Sequence, residues 1–104
     1  MTATQVDAVF SALADPTRRS VLETLSSGAT VTASGLARTL PISRQAVSKH
    51  LASLRDAKLV SSERVGRETV YALRPEPLED AAAWIERVGA DWDRRLAALR
   101  RSLG

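Results

Sequence analysis

The sequence predicts a mainly α-helical domain carrying one small β-hairpin. Three observations predict it. Apolar residues recur at helical spacing in segments punctuated by caps and breakers. The period then changes to two short runs rich in Val, Thr and Tyr around Gly66-Arg67. Finally, apolar residues step by three or four from Leu78 to Leu103, the pattern of one long helix. A chain of 104 residues suits a single domain, 1–104.

Each element has its own cause. Val6, Val9, Phe10 and Leu13 share a helical face. Asp15-Pro16 then restarts the chain, Asp15 as a cap and Pro16 at the first helical position, where no N–H is needed. The second helix turns Val21, Leu22 and Leu25 inward, and Gly28 closes it. Thr32 caps a short third helix with Leu36, Ala37 and Leu40 inward, stopped by Pro41. Ser43 caps a fourth helix that runs to about Lys58, with Ala46, Val47, His50, Leu51 and Leu54 on one face. Leu59–Val65 and Thr69–Leu73 form the hairpin, which Pro75 and Pro77 end. Two short helices joined by a tight turn make a helix-turn-helix, about residues 33–58. A hairpin directly behind it, about 60–73, makes it a winged helix-turn-helix, and a last helix covers about 78–103.

Composition removes whole classes of function. With no Cys there is no disulfide, no thiol nucleophile and no Cys-based zinc site. A single His leaves no multi-His metal site within one chain. No Gly-rich phosphate loop and no nucleophile–base set is present, so neither catalytic residues nor cofactors are expected. The first ten residues lack the basic and apolar runs of a signal peptide, and no stretch approaches a membrane span, so a cytoplasmic location is expected. The net charge of +3 is unevenly spread: residues 16–74 hold ten bases and four acids. A basic middle segment points to an anionic partner, nucleic acid above all.

The fourth helix carries the chemistry of a reader. With Ser43 as cap, Arg44, Gln45, Ser48 and Lys49 occupy the outer face of its first turns. Arg matches guanine O6/N7, Gln matches adenine N6/N7, and Ser donates to a base or a phosphate. The competing reading, a merely solvated amphipathic helix, loses to the surrounding order of short helix, turn and hairpin. Arg64 and Arg67 flank Gly66 at the wing tip, where Arg suits a narrow minor groove or simply a solvated turn. Glu63 and Glu68 partly neutralise this wing. Arg55 and Lys58 suit phosphates, and Arg18 and Arg19 suit either DNA backbone or an ion pair with Asp15. His50 has Ala46 and Leu54 as helical neighbours and so no second metal ligand.

The last helix is longer than a small core can cover. Its stripe includes Trp84, Ile85, Val88, Trp92, Leu96 and Leu99. Together with Val6, Val9 and Phe10 of the first helix, it reads as a homodimer interface. A two-fold pair of reading helices matches double-stranded DNA with dyad symmetry. Gly89, mid-helix at a cost near 1 kcal/mol, marks a close approach or a bend. Two other readings stand beside a DNA-binding regulator. One is a winged-helix protein-interaction module. The other is a small-molecule-responsive repressor with a pocket at the dimer interface near Trp84 and Trp92.

The runs ALADPTRRSVLETL, ISRQAVSKHLASLRDAKLV and RVGRETVYAL resemble the ArsR family of bacterial winged-helix transcriptional regulators. The tail LEDAAAWIERVGADWDRRLAAL is similar to the last helix of a non-metal-sensing branch. The resemblance implies homodimers joined through the first and last helices, a dyad-symmetric operator, repression and frequent autoregulation. It places Ser43, Arg44, Gln45, Ser48 and Lys49 on the recognition helix and Arg64 and Arg67 on the wing. Metal-sensing relatives carry a Cys pair in the third helix, or Asp and His ligands on the last. Here Ala33–Leu40 has no Cys and the last helix no His, so no metal site carries over. Relatives usually place Gly where Lys58 stands.

Overall fold

A computed structural model describes residues 3–103. Its elements follow in the order α1 (Ala3–Leu13), α2 (Pro16–Leu25), α3 (Ala33–Ala37), α4 (Arg44–Asp56), β1 (Val60–Val65), β2 (Glu68–Leu73) and α5 (Glu76–Leu103). This is the mainly helical winged helix-turn-helix that the sequence predicts.

Short-range chemistry sets the helix starts. Asp15 accepts from the amides of Thr17 at 2.8 Å and Arg18 at 3.1 Å, with Pro16 leading α2. Thr32 Oγ1 accepts from Gly35 N at 3.0 Å, and Ser43 Oγ from Ala46 N at 3.1 Å. Each side chain satisfies an amide that has no partner within its own helix. The helix α3 ends at Ala37, ahead of Pro41, but the amides of Thr39 and Leu40 still donate to Leu36 O, which holds Leu40 against the core.

The end of α4 is a Schellman motif. The amide of Leu59 donates to Leu54 O and that of Lys58 to Arg55 O, both at 2.9 Å, and Leu54 and Leu59 are both fully buried. The motif requires a left-handed residue between helix and strand, and Lys58 takes it at φ 62°. That is the conformation for which glycine is the usual choice.

The strands pair antiparallel from Val60↔Leu73 to Val65↔Glu68, leaving Gly66-Arg67 as a two-residue turn. Gly66 sits at φ 62°, as the first position of such a turn demands. Val31 adds an antiparallel bridge to Tyr71, with hydrogen bonds of 3.0 and 2.7 Å, which ties the loop before α3 to the wing. Sequence periodicity gives no sign of this bridge. The wing strand β2 begins one residue before the expected Thr69, and α5 begins two residues before the expected Leu78. Pro77 lies inside the first turn of α5, where its missing N–H costs nothing.

The core is a small cluster of Val21, Leu25, Leu36, Val47, Leu51, Leu54 and Leu59, all at most 1 % exposed, drawn from α2, α3, α4 and the approach to β1. It fixes α4 by its inner face and leaves the outer face to solvent. The helix α5 joins the domain through its first turns, where Pro77 and Ala81 are buried. It then runs unbroken through Gly89 and gives the molecule extents of 66 × 27 × 23 Å. A Cβ at Gly89 would meet nothing within 4 Å, so this glycine makes no close approach within the chain.

Candidate nucleic-acid interface

The recognition candidates separate cleanly by face. Val47, Leu51 and Leu54 are fully buried, whereas Arg44, Gln45, Ser48 and Lys49 are all exposed on the first turns of α4. This end of the helix carries unpaired amides and the positive pole of its dipole, and adds two cationic side chains. Ser43 is exposed too; its oxygen accepts the cap bond, and its hydroxyl proton remains free to donate outward.

Arg64 and Arg67 lie on a separate element, the hairpin tip, and both are exposed. Arg64 opposes Thr69, and its Nε donates to Gly66 O at 3.3 Å, which folds the guanidinium back along the turn. Arg67 occupies the turn itself. On the reading helix, Arg55 reaches across to the wing through a 3.4 Å hydrogen bond from Nη1 to Ser62 Oγ.

The paired arginines of α2 serve the fold. Arg18 approaches Asp15 at 3.8 Å and donates to Ser11 O at 3.4 Å, and Arg19 donates to Leu13 O at 2.6 Å. They tie the end of α1 to the start of α2. The Arg18 amide is the main reason that the Asp15 carboxyl titrates below its ordinary value. The Thr17 amide and the positive charges of His50 and Arg18 add to it, against partial desolvation. Two further exposed cations, Arg38 after α3 and Arg74 after β2, belong to no sequence motif. The basic excess over residues 16–74 includes both and was the one signal pointing to them.

The expected interface set divides. Trp84, Ile85, Val88, Trp92 and Leu99 of α5 are 41–58 % exposed, and Leu96 is half-buried. Val6 and Phe10 of α1 are half-buried, and Phe10 meets Trp84 edge-to-face at 5.5 Å between centroids. Val9 differs: it is 0 % exposed, so its side chain belongs to the chain's own core and has no surface left for a partner. Helical period alone does not separate Val9 from Val6 and Phe10. Among the described residues, no group of three His, Cys, Asp or Glu side chains is placed to hold a metal, and no helix is long and apolar enough to cross a membrane.

Residues 13–63, from the end of α1 into β1, match the helix-turn-helix domain family model. A short helix, a tight turn, an exposed reading helix and an arginine-tipped hairpin define a DNA-binding transcriptional regulator of the winged helix-turn-helix class. The chain is 46 % identical to an ArsR-like transcriptional regulator from Rhodococcus sp. RHA1, covering 94 % of this chain and 92 % of that one with a TM-score of 0.84. It is 38 % identical over 77 residues to the transcriptional repressor SdpR of Bacillus subtilis, covering 74 % of this chain and 84 % of that protein. To the HTH-type transcriptional regulator Rv2034 of Mycobacterium tuberculosis it is 41 % identical over 90 residues, 86 % of this chain and 80 % of that protein. The chain belongs to the ArsR family of winged helix-turn-helix transcriptional regulators, and its relatives are regulators rather than enzymes.

Proposed function

We propose that the chain is a cytoplasmic, homodimeric repressor that binds a dyad-symmetric operator and senses no metal. The single domain inserts the first turns of α4 into the major groove, where Arg44 and Gln45 read base edges and Ser43, Ser48 and Lys49 anchor the backbone. Arg64 and Arg67 follow the adjacent minor groove. The observation that carries this reading is the split of α4 into a fully buried apolar face and an exposed face of Arg44, Gln45, Ser48 and Lys49. The homodimer rests on the exposed stripe of α5 with Val6 and Phe10 beside it. Repression is supported by the name of SdpR, a transcriptional repressor. The absence of Cys from the sequence and of His from α5 supports a regulator without a metal sensor.

The test is fluorescence anisotropy with the duplex upstream of the chain's own gene and with a scrambled duplex, across a salt series. Tight binding to the upstream duplex that survives salt better than binding to the scrambled one is expected. Equal, weak and salt-labile binding to both would remove autoregulation at that site. No binding to either at low salt would favour the protein-interaction module.

A further inference from the structure

Beneath the wing lies a cleft of about 410 Å³ that the operator contacts above do not use. Three cations line it: Arg55 near the end of α4, whose guanidinium also bonds Ser62 Oγ, Lys58 in the link to β1, and Arg74 in the link after β2. Ser61 and Gln5 add polar groups, and among the described residues Glu76 is its only carboxylate. Glu76 lies 3.6 Å from Arg74 and so offsets one of the three charges. The cleft therefore keeps a net positive charge together with a hydroxyl donor, the complement of a phosphate oxyanion.

Lys58 supplies an independent observation. Its backbone holds a left-handed conformation at φ 62°, where glycine would be unstrained, and the residue lines the cleft. The Schellman motif asks only for the conformation, not for an ammonium group. A strained residue kept at a site is a pointer to what its side chain does there.

We propose that this cleft is a phosphate-binding site, with Lys58, Arg74 and Arg55 as its cations and Ser61 as its hydroxyl donor. Such a phosphate belongs either to the DNA backbone flanking the bases read by α4, or to a free phosphorylated ligand. The shared chemistry is the oxyanion, and two measurements separate the sources.

The first needs no DNA. Pyrophosphate is titrated into ¹⁵N-labelled full-length protein, and the amide shifts of Lys58, Ser61 and Arg74 are followed. The second measures the slope of log affinity against log salt for any duplex the protein retains. Lys58→Gly keeps the backbone conformation and removes the charge, Lys58→Arg keeps the charge, and Arg74→Gln removes the second cation. A backbone phosphate is identified if Lys58→Gly and Arg74→Gln each reduce the magnitude of the slope by about 0.9 per protomer, about 1.8 for the dimer, and Lys58→Arg does not. A free ligand is identified if pyrophosphate shifts these amides saturably in the wild type and in Lys58→Arg but not in Lys58→Gly, while the salt slope of every variant stays at the wild-type value. The proposal is overturned if the slope is unchanged and pyrophosphate moves none of these amides. Because the pyrophosphate arm is independent of DNA, failure of the repressor reading leaves that arm able to support or overturn the site.

Discussion

At Asp15, one carboxylate sets both a helix start and a pH response. It accepts the amides of Thr17 and Arg18, and the charged form makes these bonds best, so its folded pKa lies below the ordinary value of 3.8. A group lowered in this way contributes stability that is fully present above its unfolded pKa. That stability is lost as pH falls from about 3.8 through the folded value. Asp15→Asn keeps a cap oxygen but cannot titrate. Thermal melts between pH 7 and pH 2 are therefore expected to show the wild type losing Tm more steeply than Asp15→Asn below about pH 4. Parallel curves would mean that Asp15 titrates alike in the folded and unfolded chain. Asp15→Ala, which also removes the cap, should melt lower at neutral pH. Lys58 is the opposite case, a residue held against its preference. Its left-handed backbone costs about 1 kcal/mol relative to glycine, so Lys58→Gly should raise Tm by a few degrees, about 4–8 °C per kcal/mol in a domain this small. Stability and phosphate affinity would then move in opposite directions in one variant.

For the reading helix, the division of faces makes a specific forecast. Arg44 and Gln45 are exposed and take no part in the core, so Arg44→Ala and Gln45→Ala should leave Tm within about 2–4 °C of wild type. Each should weaken binding to the true operator by about 1–3 kcal/mol and relax preference at one base position. Lys49→Ala should instead weaken operator and scrambled duplex alike, because a phosphate contact carries no sequence. Anisotropy on both duplexes distinguishes these outcomes, and unchanged affinity in both Arg44→Ala and Gln45→Ala would remove them from the interface. The same elements show where the sequence speaks and where it is silent. Caps such as Asp15, Thr32 and Ser43, the stop before Pro41 and the Gly66-Arg67 turn act within three or four residues, and all were legible. The Val31–Tyr71 bridge joins residues 40 apart through main-chain groups that every residue carries, so no side-chain pattern announces it. The burial of Val9 was equally hidden, because a helical stripe names a face without saying what covers it. Pro75 and Pro77 read as breakers and put the expected start of α5 at about 78, but a proline in a first turn also begins a helix, and α5 starts at Glu76.

At the scale of the molecule, the dominant fact is a helix of 28 residues, about 42 Å, on a domain whose core engages only its first turns. The radius of gyration is 18.0 Å, against about 13 Å for a compact chain of this length. Trp92, Ile85 and Leu99 are each more than half exposed, and this stripe is the surface that the proposed homodimer would cover. Charge says how a second copy would lie. Residues 76–93 hold six acids and one base, while residues 94–103 hold four bases and no acid. Antiparallel α5 helices would place each basic end along its partner's acidic stretch, whereas parallel ones would set like charge against like. Trp92→Asp places a charge at the middle of the stripe, remote from the core, and is expected to give a folded monomer by sedimentation equilibrium with its helix content retained. Because a monomer presents one reading helix instead of two, it should also lose most of its preference for a dyad-symmetric duplex over a single half-site. Reversing Arg100 and Arg101 together to Glu should weaken the dimer as well, and more so at low salt, where unscreened repulsion from the partner's acids is greatest. A Trp92→Asp chain that still sediments as a dimer would move the interface off this face of α5. A charge-reversed pair that dimerises as tightly as wild type at low salt would exclude the antiparallel arrangement while leaving the stripe itself in place.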